Sequence, residues 1–108
     1  MNIADLEPRA TEAAELLGAM SNPKRLLILC HLLEEELSVG ALAERIDLAQ
    51  SPLSQHLSKL RALRLVAARR EGQSIFYRLA SDDVAKLLTT LHGIFCAPEP
   101  AARRRARA

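Results

Sequence analysis

The sequence is short of aromatic residues, cysteines and long apolar runs, and each shortage excludes a class of protein. Its 108 residues include no tryptophan, one tyrosine, two phenylalanines and two cysteines, although 49% of them are hydrophobic. No segment approaches the roughly 18 consecutive apolar residues that a membrane-spanning helix requires. The first residues, MNIAD, have neither the basic nor the apolar region of a secretory signal peptide. We therefore expect a cytoplasmic protein without a membrane partner.

The two cysteines, Cys30 and Cys96, are expected to be thiols rather than a permanent structural disulfide. A chain without a secretory signal is expected in the reducing cytoplasm, where disulfides are transient. From composition alone, a free cysteine is most simply a small buried side chain. The sequence shows no Cys/His/Asp constellation and no phosphate-binding loop. We therefore expect no enzyme activity, no resident metal and no cofactor.

Positive charge is concentrated in one segment of an otherwise acidic chain. Residues 1–50 include four basic and nine acidic residues, whereas residues 51–80 include six basic residues and one acidic residue. The basic segment indicates a surface that faces a polyanion such as DNA, although a solvated charged face is the alternative. At this length we expect one domain at residues 1–97, followed by a basic, disordered tail at residues 98–108.

Apolar periodicity predicts two helices in the first third of the chain. The first helix is predicted from Asp5 to Met20, where apolar residues recur at helical spacing. The second is predicted to start after the N-cap Ser21, with Pro23 in its first turn. It is apolar almost all round, which is typical of a helix central in the core. Cys30 is therefore expected inside the protein or close to it.

The middle of the chain has the pattern of a helix-turn-helix followed by a hairpin. Ser38 and Ser51 are predicted to cap two short helices joined by a four-residue connection, 47–50. Two strands, 65–70 and 75–79, are predicted to form a hairpin around a connection that contains glycine. A last helix follows, with Ser81 as its predicted N-cap. The order α-α-α-α-β-β-α is that of a mainly α-helical winged helix-turn-helix.

The second helix of this motif has a leucine face and an opposite polar face on a helical wheel. Serine and glutamine on the polar face suit the major groove, since glutamine pairs with adenine and serine with several bases. Lysine and arginine at its edge and on the wing are suited to phosphate groups or the minor groove. His56, at the border of the two faces, is equally suited to packing, phosphate contact or base contact. The predicted DNA-binding residues are Gln50, Ser51, Ser54, Gln55, His56, Lys59, Arg61, Arg69, Arg70 and Gln73.

The first and last helices have more apolar residues than a small core requires, so we expect a homodimer that forms through these two helices.

Four segments of the chain carry a resemblance to a known family: 17–29 (LGAMSNPKRLLIL), 37–43 (LSVGALA), 51–60 (SPLSQHLSKL) and 65–79. In this order and spacing they resemble the ArsR-type winged-helix repressors, over nearly the whole chain apart from the basic tail. The resemblance implies a homodimeric repressor that binds double-stranded operator DNA and is released by an inducer.

The sequence departs from the metal-sensing members of that family at both of their metal sites. The thiolate site of arsenic and cadmium sensors resembles Glu-Leu-Cys-Val-Cys, whereas this chain has ELSVG at residues 36–40. The zinc site on the last helix has two histidines, and alignment on Asp83 places Ala85 and Cys96 at those positions. The resemblance therefore gives little support to a metal site.

Cys30 and Cys96 instead resemble the paired thiols of the persulfide-sensing branch (the BigR and SqrR kind), which responds to reactive sulfur species. That likeness implies that the two thiols sense the inducer by forming a direct or sulfur-extended bridge. Three roles stay open for His92, four residues before Cys96: assisting the thiol, binding a metal, or lining the dimer interface. A metal or metalloid, peroxide, or no inducer at all are the alternatives to reactive sulfur.

Overall fold

The computed structural model describes residues 1–96, and the tail predicted at residues 98–108 lies outside them. The predicted mainly α-helical fold with a hairpin wing is confirmed. The helices are α1 (Ile3–Leu6), α2 (Ala10–Met20), α3 (Pro23–Glu34), α4 (Val39–Ile46), α5 (Gln50–Ala62) and α6 (Asp82–Phe95), and the strands are β1 (Leu37–Ser38), β2 (Val66–Glu71) and β3 (Ser74–Leu79).

The N-terminal helix is interrupted, so the prediction of one continuous helix from Asp5 to Met20 is wrong. A 3-10 turn at Glu7–Arg9 separates α1 from α2. Pro8 lies in this turn, and proline has no N–H to donate to a regular helix. The short helix α1 has no buried residue, so it is not held by the core of a single chain.

The helix caps agree with the prediction at two of four sites. The hydroxyl oxygens of Ser38 and Ser81 accept backbone N–H groups at the starts of α4 and α6, as predicted. The predicted cap Ser21 is wrong: the Oδ1 of Asn22 accepts the N–H groups of residues 24 and 25. The predicted cap Ser51 is also wrong, because it lies inside α5, whose N-cap Ala49 has no side-chain oxygen.

Helices α4 and α5 form the predicted helix-turn-helix. The connection is one residue shorter than predicted, because Gln50 already belongs to α5. Asp47 ends α4 in the left-handed region at φ 50°, a conformation that aspartate adopts more readily than most residues. The ammonium of Lys24 donates to the carbonyl oxygen of Ile46 at 3.0 Å, which caps the end of α4 from α3.

The wing is a three-stranded antiparallel sheet in the order β1-β3-β2. Strands β2 and β3 form the predicted hairpin, and the turn between them consists of Gly72 and Gln73. Gly72 has φ +61°, which a side chain would disfavour. Strand β1 pairs Leu37 with Tyr77, and sequence periodicity missed it because two residues are too few to show alternation.

The core is built mainly from leucines on facing helices. Leu53, Leu57 and Leu60 of α5 are fully buried, as the leucine face predicted. Helix α3 buries one face only, so it lies at the edge of the core and not at its centre as predicted. Its opposite side leaves Leu27 44% exposed, and Cys30 is exposed rather than in or near the core. No helix within residues 1–96 is long and apolar enough to cross a membrane.

Candidate DNA-binding surface and cysteine groove

The polar face of α5 forms one exposed surface on the side away from the core. Burial of the leucine face against the core leaves the opposite face of the same helix in solvent. Pro52, in the first turn of α5, is half-buried, whereas the polar residues around it are exposed. The residues that line a shallow depression on this face are Gln50, Ser51, Ser54, Gln55, Ser58 and Lys59. The structure therefore brings five of the predicted DNA-binding residues together, with Ser58 added to them.

A second cleft joins α5 to the wing and to the start of α4. It is lined by Gln50 and Ser54 of α5, by Gln73 in the wing turn, and by Ser38 and Gly40 at the start of α4. The first turn of a helix presents backbone N–H groups that bind anions readily. The sequence identified Ser38 as a cap but did not place the start of α4 beside the wing.

His56 lies at the edge of the leucine face, half-buried. Partial burial, followed by the nearby charges of Arg25 and Lys59, holds the pKa of His56 below its ordinary value. This environment favours the neutral form of its imidazole. Behind it, the Nε of Arg25 is buried without a hydrogen-bond partner within residues 1–96. Of the three predicted roles, this environment favours packing.

Arg69 of the wing is held by two carboxylates. Its Nε donates to Oε1 and Oε2 of Glu36 at 2.9 and 3.0 Å, and its Nη2 donates to Oε1 at 2.6 Å. Its Nη1 donates to Glu71 at 2.6 Å, and its guanidinium lies 4.8 Å from the ring centre of Phe76. The hydrogen bonds from Arg69 hold the pKa of the Glu36 carboxyl below its usual range. Arg69 is thus bound on three nitrogens within its own chain.

The other predicted basic residues are more available than Arg69 for contacts with DNA. Arg70 is exposed, and its Nε donates to the carbonyl oxygen of Gly72 at 3.2 Å, across the wing turn. Lys59 and Arg61 are exposed near the end of α5. Lys59 lines the depression on the polar face of α5, and Gln73 lines the cleft that joins this helix to the wing.

Cys30 lies at a groove between α3 and α6, and Cys96 lies just past the end of α6. Cys30 lines this groove with Leu33 and Glu34 of α3 and with Leu88 and His92 of α6. Cys96 directly follows α6, and its backbone N–H donates to the carbonyl oxygen of His92 at 2.8 Å. Both cysteines are free and exposed. The two thiols are therefore reachable from solvent, one on α3 and one directly after α6.

The surroundings of the groove act on the Cys30 thiol. Partial burial, followed by the negative charges of Cys96 and Glu34, raises the pKa of the Cys30 thiol. Within residues 1–96, no group of three or more histidine, cysteine or acidic side chains could hold a metal ion.

The chain is similar in sequence and in fold to known regulators. The family described as "Bacterial regulatory protein, arsR family" matches residues 22–68, from the start of α3 into β2. The biofilm growth-associated repressor of Agrobacterium fabrum is 49% identical over 87% of this chain and 80% of its own length. The chain belongs to the ArsR family.

Two further relatives extend the likeness to the whole described fold. The transcriptional activator HlyU of Vibrio cholerae is 48% identical over 89% of both chains. The crystal structure of the repressor BigR from Xylella fastidiosa has a TM-score of 0.85 and 45% identity, over 91% of this chain and all of that one. The chain is thus a transcriptional regulator with a winged helix-turn-helix, and the expectation that it is no enzyme is confirmed. Regulators of this family bind operator DNA.

Proposed function

We propose that this protein is a homodimeric repressor that leaves its operator when reactive sulfur species bridge Cys30 and Cys96. Two of the three relatives described above are named repressors and one an activator. Repression is the simpler outcome, because a dimer bound over a promoter excludes other proteins from it.

The observation that carries DNA binding is the exposed polar face of α5. It presents Gln55 beside short serines, so the helix can lie deep in a major groove and pair with bases. Lys59 lies on this face, and Arg61 of α5 and Arg70 of the wing are exposed, so all three can supply charge for phosphate groups. Gln73, in the wing turn, supplies a polar contact at the edge of the same surface.

The homodimer is supported by apolar side chains that one chain leaves uncovered. Ile3 and Leu6 of α1 are 65% and 49% exposed, and Phe95 at the end of α6 is 70% exposed. Clusters of this kind on a small protein mark association sites. A twofold dimer through α1 and α6 would place two copies of α5 about one DNA turn apart, the spacing of successive major grooves.

The switch is supported by two exposed free thiols, one in the groove between α3 and α6 and one directly after α6. A thiolate attacks the outer sulfur of a persulfide donor RSSH, RS⁻ leaves, and the cysteine becomes Cys–S–SH. The second thiolate attacks its inner sulfur, which forms the disulfide and releases HS⁻. The two thiols are oxidised and the donated sulfur is reduced. A second donor molecule lengthens the chain before closure and gives a trisulfide, which spans a wider gap than the Cα separation of about 7 Å that limits a disulfide.

The bridge would tie α6, a predicted dimer helix, to α3. DNA affinity would fall because the bridged state holds the two α5 helices at a different separation. The test is mass spectrometry after treatment with a sulfane-sulfur donor, with peroxide, or with arsenite, each paired with operator binding. We expect a 30–96 crosslink and DNA release with the donor. The variants Cys30→Ser and Cys96→Ser should each stay bound to DNA.

Three results would contradict this proposal. Absence of a 30–96 crosslink with every reagent would remove the switch. Release by arsenite without sulfur incorporation would favour a metalloid sensor. Release by peroxide alone would favour a general redox sensor.

A further inference from the structure

Arg69 faces away from the helices of the core. In a strand, neighbouring side chains point to opposite faces, and Ala68 and Arg70 share one face of β2 while Arg69 lies on the other. The register pairs Arg69 with Phe76, and pairs the part-buried Ala68 with the buried Tyr77. The face that carries Arg69 is therefore the outer face of the wing. Its partners Phe76 and Glu71 lie on the same face.

The third partner, Glu36, belongs to the short connection between α3 and β1. Two ion pairs hold this connection. Its first residue, Glu35, pairs with Arg45 of α4 at 2.6 Å. Glu36 pairs with Arg69 of the wing at 2.6 Å. The end of α3, whose Glu34 lines the cysteine groove, is thus connected by consecutive residues to α4 and to the wing.

We propose that Arg69 is a positioning residue for operator binding, which fixes the wing to the connection after α3 and does not itself bind phosphate. The contacts with Glu36, Glu71 and Phe76 carry this inference, because a phosphate contact would require Arg69 to leave all three. The forked guanidinium bonds two separate carboxylates at fixed angles, which a lysine cannot reproduce. The inference rests on the proposed DNA-binding function, and it takes Arg69 out of the set of direct DNA contacts.

This role has a consequence for the switch. A displacement of α3 after a bridge forms at Cys30 reaches the wing through Glu36 and Arg69. The wing and α5 would then change their relative position while their own DNA-facing residues stay intact. The wing can follow α3 in this way only if the contacts between Glu36 and Arg69 persist when the protein is bound to DNA.

The experiment uses full-length protein and an operator selected from a random pool of DNA duplexes. Operator affinity is measured over a series of salt concentrations for Arg69→Met, Arg69→Lys and Glu36→Ala, for the double variant Arg69→Met/Glu36→Ala, and for the matched control Arg70→Met. Thermal unfolding verifies that each variant is folded.

We expect Arg69→Met, Arg69→Lys and Glu36→Ala each to weaken binding about two- to fivefold, as exposed ion pairs allow. The double variant should bind the operator no more weakly than the weaker-binding of its two single variants, because both changes remove the same interaction. The slope of log K against log salt should stay that of the parent. Arg70→Met, in contrast, should reduce the slope by about 0.9 for each phosphate that is no longer neutralised.

The opposite pattern would overturn the inference. If Arg69 binds phosphate and Glu36 competes with the phosphate for Arg69, Glu36→Ala should tighten operator binding. Arg69→Lys should then retain operator affinity, and Arg69→Met should reduce the salt slope. Unchanged affinity in all three single variants would also overturn it. Either result leaves the proposed function standing, whereas failure of the parent protein to select any operator would remove the proposed function itself.

Discussion

The cap of α3 offers a sharp test of how this fold is held, because two neighbouring residues compete for the role. The Oδ1 of Asn22 accepts the N–H groups of Lys24 and Arg25 at 2.9 and 3.1 Å. Replacing Asn22 with alanine leaves both donors without this acceptor at a part-buried position. Loss of an N-cap costs about 0.5–2 kcal/mol, and two part-buried donors place the expected loss at about 1–2 kcal/mol.

Ser21 provides the matched control. Its hydroxyl donates to the carbonyl oxygen of Gly18 at 2.8 Å on an exposed turn, so Ser21→Ala should cost less than about 0.5 kcal/mol. Asn22→Ser keeps a side-chain oxygen that can accept the N–H groups of Lys24 and Arg25, so it should retain most of the stability that Asn22→Ala loses. Thermal unfolding followed by circular dichroism measures the three variants at one protein concentration, since dimerisation makes Tm depend on concentration. A domain of this size should lose about 4–8 °C in Tm for each kcal/mol. An equal or larger loss in Ser21→Ala than in Asn22→Ala would refute the assignment.

Three further changes test the core, the cysteine groove and the DNA surface. Leu57→Ala removes a fully buried side chain and should lower the free energy of unfolding by about 2.7–5 kcal/mol, measured by urea denaturation. Glu34→Gln removes a negative charge that raises the pKa of Cys30, so alkylation of Cys30 at pH 8.5 should accelerate up to about twofold, whereas an exposed control such as Glu44→Gln should leave it unchanged. Gln55→Ala should relax specificity at one base pair by about 1–3 kcal/mol in competition assays, while Lys59→Met should weaken all sequences alike and reduce the salt slope by about 0.9 for each phosphate that is no longer neutralised.

The elements with strong local signals were predictable from the sequence. The leucine face of α5 follows from a repeat at helical spacing, and the wing hairpin follows from two strand-like runs around Gly72. Both signals are local, and the structure keeps them because burial of the leucines and the turn at Gly72 agree with the tertiary fold.

The features that were missed depend on residues far apart in the sequence. Strand β1 is two residues long and exists because β3 offers it a partner. The engagement of Arg69 by Glu36 joins positions 33 residues apart, so the basic segment alone suggested a free wing arginine. Cys30 was expected inside because α3 is rich in leucine, but a helix at the edge of a small core buries one face only.

The pairing of β1 with β3 limits how the chain can fold and be divided. Leu37 pairs with Tyr77, so this pairing closes a loop of about forty residues that contains the whole helix-turn-helix. Ordering so long a loop is entropically costly until α4 and α5 have formed, which makes completion of the sheet a late event in folding. The segment that defines the family, residues 22–68, ends inside β2 and lacks β3 altogether. A fragment cut at those limits would expose two unpaired strand edges, so the smallest autonomous folding unit must extend at least through residue 79.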